Sequence, residues 1–251
     1  MNFPVITVSI VNHGHDFMLR HLLGQLAKHS TFIAKVIVTH NIPNEDEVIE
    51  DNYPFDVAIL QNNKPLGFGA NHNQAFQYCE TQYFCVMNPD INIKSEPFGA
   101  LLFCFENPKI GIVAPTIITP EGEQEDSARY FPTPLGLIRK LLTDYDGSFP
   151  AGHDTTQIFP DWMGGMFLVF PSVIYKELSG FDEGYFLYYE DVDICARCWR
   201  SGNKVVLVRN IAVIHDARRT SHTNLKYLKW HMLSALRFFL KHLGRFPKKL
   251  I

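Results

Sequence analysis

The feature that most constrains the fold is an alternation of short β-branched runs with amphipathic segments in the first half of the chain. Strands are predicted at residues 5–11, 35–39, 56–60 and 83–87. Continuous apolar runs of this kind are typical of strands buried on both faces of a sheet. Strands that alternate with helices form βαβ units, so the pattern predicts an α/β fold with a mostly parallel central sheet flanked by helices.

Helices are predicted between these strands. Asp16 is placed to cap the first helix, and residues 70–79 are predicted to form the second. The first helix should bury an apolar stripe, made of Phe17, Leu19, Leu22, Leu23 and Leu26.

Polar residues stand where three of the predicted strands end. They are His40 and Asn41, the loop at 62–69, and the triplet at 88–90. Right-handed crossovers bring the carboxyl ends of parallel strands to one edge of a sheet, where ligands bind. The pattern therefore predicts a cleft lined by these three segments.

The second half of the chain is less regular. Short strands are predicted at residues 112–115, 166–170, 204–208 and 211–214, with a turn at 120–122. The polar stretch at 144–161 is predicted to be a long loop, which in a compact domain is usually functional or disordered. Gly164 and Gly165 indicate either a close backbone approach or a tight turn.

An aromatic stretch at 185–189 leads into an acidic segment that is predicted to begin a helix. The carboxylates are Glu190, Asp191 and Asp193. A helix N-terminus favours negative charge, so we expect a carboxylate there to stay ionised and to suit general-base chemistry. The alternative is ordinary acidic enrichment with an i, i+4 pair between Asp193 and Arg197. The apolar face of this helix is predicted to be Val192, Cys195, Ala196 and Trp199.

Composition excludes several classes of protein. The formal charge of −3 argues against nucleic-acid binding over the whole surface, though not against a local basic patch, and 46% hydrophobic residues suffice for a buried core. Five cysteines, an odd number, indicate reduced thiols in the cytosol rather than a disulfide framework. There is no signal-peptide pattern and no apolar run of the roughly 18 residues that a spanning helix needs. We therefore expect a soluble, cytoplasmic protein.

The C-terminal tail at 222–251 is predicted to be a basic amphipathic helix without Asp or Glu. Its apolar face should contain Leu225, Leu228, Met232, Leu236, Phe239 and Leu243, with Lys226, Arg237 and Lys241 opposite. Such a helix either lies on an anionic membrane surface or packs its apolar face on the parent domain. Both interpretations stay open at this point.

Familiar nucleotide-binding motifs are absent from the sequence. Gly67-x-Gly69 is no dinucleotide fingerprint, because His72 occupies the third glycine position and the loop follows the third strand. Asp90 and His215 each follow a strand and could surround a divalent cation, with a base supplied by the acidic helix. Oxygen ligands with one imidazole suit Mg²⁺ or Mn²⁺.

These segments together resemble the family 2 inverting glycosyltransferases of GT-A fold, especially bacterial rhamnosyltransferase-like members that build surface polysaccharides. The resemblance covers nearly the whole chain except the tail. It rests on residues 8–11, 62–73 (NNKPLGFGANHN), 88–90 (NPD), 162–165 (WMGG), 181–183 (FDE), 188–193 (YYEDVD) and His215.

The resemblance implies residue roles. Asp191 corresponds to the catalytic base, with Glu190 as the second candidate, and Asp90 and His215 would hold Mg²⁺ or Mn²⁺. Donor contacts would come from Val11, Asn41, Asn63, Gly67, Phe68, Asn71, Asn88, Asp90, Trp162 and Gly164. The chain departs from the family at His40, where an Asp is frequent, and at Asn88, which brings no charge to the metal motif.

We therefore expect a GT-A domain at 1–221 followed by the helical tail at 222–251. The expected activity is transfer of a sugar, with rhamnose as a candidate, from a nucleotide-diphosphate sugar to a hydroxyl of a glycan or lipid-linked acceptor. The expected location is the cytoplasm, at the inner face of the cytoplasmic membrane if the tail binds lipid. The non-enzyme alternative is a catalytically silent nucleotide-sugar binder or assembly protein. A sugar-phosphate nucleotidyltransferase is disfavoured, because residues 12–15 do not form a Gly-rich basic loop.

Overall fold

A computed structural model describes residues 4–43, 52–133, 136, 149, 156–216 and 225–243. The helices are α1 (Asp16–Lys28), α2 (Phe68–Phe76), α3 (Phe98–Phe103), α4 (Ser172–Glu177), α5 (Glu190–Arg200) and α6 (Leu225–His242). The strands are β1 (Ile6–Asn12), β2 (Ile33–His40), β3 (Asp56–Gln61), β4 (Tyr83–Met87), β5 (Ile91–Asn92), β6 (Ile110–Ile118), β7 (Ala128–Arg129), β8 (Gln157–Ile158), β9 (Trp162–Met163), β10 (Phe167–Pro171) and β11 (Lys204–His215).

A mixed sheet forms the centre of the molecule. Its strand order is β3-β2-β1-β4-β10-β6-β11-β5, with β8 paired to β11, while β7 and β9 form a separate two-stranded ribbon. The pairs β3-β2, β2-β1, β1-β4 and β6-β11 are parallel, and β10 runs antiparallel between β4 and β6. The mostly parallel α/β architecture predicted from the sequence is confirmed.

Helices cover both faces of the sheet because successive strand residues point to opposite sides. On one face, α1 and α3 pack against a core that includes Leu22, Phe98 and Val8. On the other face, α2, α4 and α5 pack against a second core that includes Tyr175, Ile194 and Phe84. This arrangement leaves the carboxyl ends of the parallel strands free to carry loops.

Several local predictions are corrected by the structure. Asp16 begins α1 instead of capping it, and Phe17 is 80% exposed, so the buried stripe starts at Leu19. Helix α2 begins at Phe68, which places two residues of the predicted loop inside the helix. The two strands predicted at 204–208 and 211–214 are one strand, β11, with an irregularity between Val208 and Ala212. Residues 144–148 and 150–155 of the predicted long loop lie outside the described residues.

Helix α6 packs on the domain with a different face from the one expected. Its contact face is centred on Ser234, Phe238 and His242, which are buried. Most of the predicted apolar stripe is exposed: Leu228 56%, Met232 63%, Leu236 57% and Leu243 75%. Helix α6 therefore packs on the domain, as one alternative predicted, but mainly through a different face; of the predicted stripe, Phe239 packs against the contact cluster. The predicted boundary at 221/222 lies outside the described residues.

No helix in the described part of the chain is long and apolar enough to cross a membrane.

Candidate active site

A network of three buried asparagines shapes the loop between β3 and α2. Asn62 Nδ2 donates to Asn41 Oδ1 at 3.0 Å and to Asn71 Oδ1 at 2.6 Å. Asn41 bonds both backbone polar groups of Leu66, at 2.8 and 3.0 Å, and Asn71 Nδ2 donates to the carbonyl of Gly67 at 2.9 Å. The side chains of Asn41 and Asn71 are therefore engaged in holding the loop itself.

The same loop is fastened to the aromatic segment that precedes α5. The Phe68 N–H donates to the carbonyl of Phe186 at 2.9 Å. A Cβ on Gly67 would lie 2.8 Å from that carbonyl oxygen, so only glycine permits the approach. The predicted donor loop and the predicted catalytic segment thus form one continuous wall.

The remaining predicted donor residues occupy varied positions near this wall. Val11 lies half-buried near the end of β1, and Asn63 is exposed. The backbone N–H of Asn88 donates to Met166 at 2.9 Å, and that of Gly164 donates to Ser127 at 2.9 Å. Trp162, on β9, donates its indole N–H to the carbonyl of Tyr130 at 3.0 Å.

Asp191 lies in the first turn of α5 and is held by backbone donors. Its Oδ2 accepts from the Gly165 N–H at 3.2 Å, and its Oδ1 accepts from the Val192 N–H at 2.8 Å. A Cβ on Gly165 would lie 3.1 Å from the Phe68 ring and 3.7 Å from the Asp191 Cβ. Of the two roles predicted for this glycine pair, Gly165 therefore serves a close approach.

Burial raises the pKa of both carboxylates at the start of α5. It raises the pKa of Asp191 to about 6, against the opposing hydrogen bonds from Val192 and Gly165. Burial and the Asp191 charge raise the pKa of Glu190 well above its usual range, and Glu190 Oε2 is buried without a hydrogen-bond partner. The expectation that the helix start keeps both groups readily ionised is therefore wrong for Glu190. A base with a pKa near 6 still suits proton abstraction at neutral pH.

The backbone leading into α5 is strained. Tyr188 and Tyr189 have φ values of 69° and 68°, a left-handed conformation that costs a non-glycine residue about 1–3 kcal/mol. Contacts from α6 stabilise this turn, since His231 lies against both rings and Phe238 against Tyr189. The turn sets the direction in which α5 begins, and with it the position of Asp191.

Asp90 follows β4 and His215 ends β11, and their side chains lie close together. His215 Nε2 lies 3.4 Å from Asp90 Oδ1, and its Nδ1 donates to Glu125 Oε2 at 3.0 Å. Burial lowers the pKa of His215, but its interactions with Asp90 and Glu125 outweigh it and raise that pKa to about 9. The structure thus brings together the two residues predicted to hold a metal.

The donor set at this point fits a divalent cation. Asp90 Oδ1 is buried without a hydrogen-bond donor, which is the state of a carboxylate oxygen set up to receive a cation. Among the described residues, no group of three or more His, Cys, Asp or Glu side chains forms a complete metal site. Mg²⁺ and similar ions are commonly held by one or two protein ligands together with substrate phosphates, so an incomplete protein set is compatible with such an ion.

The adjacent residues Gly165 and Met166 connect the segment that contains Asp90 to the segment that contains Asp191. The Met166 carbonyl accepts from the Asn88 N–H at 2.9 Å, and the neighbouring Gly165 N–H donates to Asp191. The triplet at 88–90 and the start of α5 therefore flank the same short segment ahead of β10.

Some site residues were missed by sequence reasoning. Glu125 is surrounded by polar neighbours in sequence and has no pattern that marks it. Arg129, whose charge lowers the pKa of Asp191, lies on β7 opposite Trp162 on β9. No sequence pattern marks Arg129, because the β7-β9 ribbon is formed by residues distant in sequence.

Comparison with known proteins agrees with this geometry. The profile of the family described as Glycosyl transferase family 2 matches residues 19–160. The chain is 26% identical to Rhamnosyltransferase WbbL of Escherichia coli strain K12, over 94% of this chain and 93% of that protein. It is 27% identical to the N-acetylglucosaminyl-diphospho-decaprenol L-rhamnosyltransferase of Mycobacterium tuberculosis, over 96% of this chain and 85% of that protein.

Solved structures share the fold. GalNAc-T7, crystallised with UDP, GalNAc and Mn²⁺, superposes with a TM-score of 0.72 at 15% identity, over 95% of this chain and 48% of that one, so this chain spans about half its length. Mannosyltransferase PcManGT from Pyrobaculum calidifontis, in complex with GDP-Man and Mn²⁺, gives a TM-score of 0.61 at 11% identity, over 94% of this chain and 65% of that one. The predicted GT-A type fold is confirmed. Since the profile match spans more than half of the 251 residues, the chain belongs to glycosyl transferase family 2.

Proposed function

We propose that this glycosyltransferase moves a sugar from a nucleotide-diphosphate donor to a hydroxyl group of a glycan or lipid-linked acceptor, with inversion at the anomeric carbon. Asp191 carries the proposal: a carboxylate with a pKa of about 6 is held at the cleft by the Gly165 N–H. Rhamnose is the first candidate for the sugar, because two relatives of this chain are named as rhamnosyltransferases.

Asp191 acts as the general base in this proposal. At pH 7 it is ionised, and its raised pKa makes it a better proton acceptor than an exposed carboxylate. It takes the proton of the acceptor hydroxyl while the oxygen attacks the sugar carbon on the face opposite the departing diphosphate, which gives inversion. Burial and the charge of Asp191 raise the pKa of Glu190, which disfavours a second negative charge beside Asp191.

The donor lies against the loop that the three asparagines hold. Gly67 and Phe68 line the pocket, while Asn41 and Asn71 act chiefly by fixing the loop. Direct contacts of Val11, Asn63, Asn88, Trp162 and Gly164 with the nucleotide sugar remain predictions. Asp90 and His215 would hold Mg²⁺ or Mn²⁺, and such an ion, when bound, offsets the charge that develops on the diphosphate.

A panel of nucleotide-diphosphate sugars, including rhamnose and hexose donors, tests the donor assignment. A donor that binds the folded state raises the thermal unfolding midpoint, and we expect the rise to be larger with Mn²⁺ than with chelator. The donor that stabilises most is then tested for transfer to lipid-linked and free glycan acceptors. Stabilisation without transfer to any acceptor would favour the silent binding protein, and no stabilisation by any donor would refute the proposal.

The metal assignment has its own test. Asp90→Ala removes one proposed ligand from a half-buried position, so donor binding should lose its dependence on Mn²⁺ while the fold is retained. Equal wild-type activity in chelator and in Mn²⁺ would show that the metal assignment is wrong.

We also propose that the exposed stripe of α6 rests on an anionic membrane surface, where a lipid-linked acceptor is found. This stripe is defined here as Leu228, Met232, Leu233, Leu236, Leu240 and Leu243, which are 54–75% exposed. The tail contains no acidic residue that would repel anionic lipid. Burial of the apolar side chains in the membrane and attraction of basic side chains to anionic lipid both contribute to the binding free energy. Each Lys or Arg near such a surface contributes about 1 kcal/mol. The cell location proposed is then the inner face of the cytoplasmic membrane.

Sedimentation with liposomes of varied anionic lipid content tests this surface. The double variant Leu236→Gln with Leu240→Gln should lose binding, because both side chains are solvent-exposed in the free protein. Phe103→Gln on α3, also exposed, is the matched control and should bind as the wild type does. Wild-type binding that ignores both anionic lipid and salt would contradict the proposal.

A further inference from the structure

Glu125 contacts the side of the His215 ring that faces away from Asp90. Its Oε2 accepts from His215 Nδ1 at 3.0 Å, while Nε2 of the same ring lies 3.4 Å from Asp90 Oδ1. The Glu125 side chain is 18% exposed and that of His215 is 11% exposed, so water competes weakly for this contact. The imidazole therefore sits between two carboxylates, one at each nitrogen.

A short hairpin delivers Glu125 to this position. After β6 the chain turns at Gly122, whose φ of +91° requires glycine, and the Thr119 N–H donates to the carbonyl of Glu123 at 2.7 Å. The Glu125 N–H then donates to the carbonyl of Ile117 at 2.9 Å. These bonds tie the Glu125 backbone to β6, which is the parallel neighbour of the strand that ends at His215.

We propose that Glu125 is a positioning residue of the metal site, a role that rests on the proposed function of Asp90 and His215. It holds the His215 ring in one orientation and keeps one proton on Nδ1, so that when a cation displaces the Nε2 proton the freed lone pair faces Asp90 and the cation. Metal-binding histidines commonly donate their second ring N–H to a carboxylate, and loss of that partner typically lowers metal affinity about 10- to 100-fold.

The geometry separates this role from two others. Glu125 does not share a cation with Nε2, because it bonds the opposite nitrogen of the ring. Nor is Glu125 needed to anchor the end of β11, since the Asp216 N–H donates to the carbonyl of Asp90 at 3.0 Å without it. Among these contacts, the hydrogen bond from Glu125 is the one that restricts rotation of the His215 ring. Without such a partner, the χ2 torsion of a histidine is broad and roughly two-fold.

Mn²⁺ binding to the full chain, counted by electron paramagnetic resonance of the free ion, tests the proposal. Glu125→Ala should weaken Mn²⁺ binding about 10- to 100-fold. Glu125→Gln should weaken it less, because the amide oxygen still accepts from Nδ1. Glu123→Ala, in the same hairpin but exposed, is the matched control and should bind Mn²⁺ as the wild type does.

Two further measurements keep the outcomes distinct. The unfolding midpoint without metal reports whether Glu125→Ala folds, and the isosteric Glu125→Gln provides a second variant should it not. If Glu125→Ala binds Mn²⁺ normally while His215→Ala does not, the metal site stands and the positioning role is overturned. If His215→Ala also binds normally, the metal assignment in the proposed function fails, and the role of Glu125 fails with it.

Discussion

Two groups of carboxylates lie close together in sequence but differ in what balances their charge. At the first two residues of α5, Asp191 is held by backbone N–H groups and the Oε2 atom of Glu190 has no hydrogen-bond partner. At the junction with α6, cationic side chains contact Asp182 and Asp193 directly. The first group is costly to ionise, and the second is stabilised as ions.

The pKa values follow this division. Burial raises the pKa of Glu190 and Asp191. Burial also opposes ionisation of Asp193, but hydrogen bonds from His242 and Lys241 and the charge of Arg197 hold its pKa far below its usual range. Groups with raised pKa values in a cleft are candidates for chemistry, whereas paired ions chiefly hold structure. One helix, α5, thus combines both uses two residues apart.

The largest expected effect is on turnover, at Asp191. Asp191→Asn keeps size and shape but removes the basic oxygen. General-base catalysis typically contributes about 10²–10⁴-fold, so kcat should fall by that order while donor affinity barely changes. Transfer assays and donor titrations of the same preparation measure both quantities.

The wild-type pH profile gives an independent readout. Because the pKa of Asp191 is raised to about 6, kcat should fall as the pH drops through that value. If Asp191→Asn transfers sugar at the wild-type rate, Asp191 is not the base, and Glu190 becomes the next candidate.

The next effect is on stability, at Asp193. Its Oδ2 accepts from Arg197 Nε at 2.7 Å, and its Oδ1 accepts from His242 Nε2 at 2.8 Å and from Lys241 Nζ at 2.7 Å. Breaking a buried ion pair by removing one partner costs about 3–5 kcal/mol, so Asp193→Asn should lower the free energy of unfolding by that order. Urea denaturation measures it, with the exposed Asp56→Asn as the control.

The pH dependence of stability should also distinguish the groups. The folded pKa of Asp193 is depressed, so its contribution is complete above the unfolded value of about 4 and is lost as the pH falls below it. Asp193→Asn should therefore reduce the acid sensitivity of the protein. An unchanged free energy of unfolding at pH 7 would show that the contacts of Asp193 with Arg197, Lys241 and His242 contribute no net stability there.

Glu190 should show the opposite sign. Its folded pKa is raised, so above about pH 4.3 the folded state binds more protons than the unfolded state, and stability falls as the pH rises. Glu190→Gln removes the titrating group. A single such group changes the free energy of unfolding by at most about 1.4 kcal/mol per pH unit. Urea denaturation between pH 5 and pH 8 should therefore show a flatter dependence in the variant. An identical slope in both proteins would mean that Glu190 ionises normally.

The elements that could be predicted from sequence are those with a local signal. Strand β4 matches its predicted bounds at Tyr83–Met87, and all four residues predicted on the apolar face of α5 are buried. In both cases the hydrophobic period in sequence equals the geometric period of the element. Helix α6 was predicted with the wrong buried face, because its docking depends on Asp182 and Asp193, and periodicity does not report such ionic contacts.

The candidate site was predictable in part for the same reason. Strand ends placed Asp90 and His215 at one edge of the sheet, and the structure brings them to 3.4 Å. The charge states were not predictable, because burial depends on tertiary contacts such as the approach of Gly165 to Asp191. Glu125 was missed because a hairpin, rather than a strand end, brings it to His215.

The smallest expected effect is at Asp182, and it tests whether burial separates the two junction carboxylates. Asp182 accepts from Arg237 at 2.8 Å and from Lys241 at 2.6 Å, but these cations are 45% and 30% exposed. Exposed ion pairs typically contribute about 0.2–1 kcal/mol, so Asp182→Asn should cost at most about 1 kcal/mol. The asparagine oxygen can still accept from the Gly184 N–H, which preserves the turn.

Because Lys241 also contacts Asp193, the double variant Asp182→Asn with Asp193→Asn should deviate from additivity in the free energy of unfolding. High salt should abolish the Asp182 effect while leaving most of the Asp193 effect. Equal costs for the two single variants would mean that charge pairing alone, and not burial, determines how firmly α6 holds the start of α5.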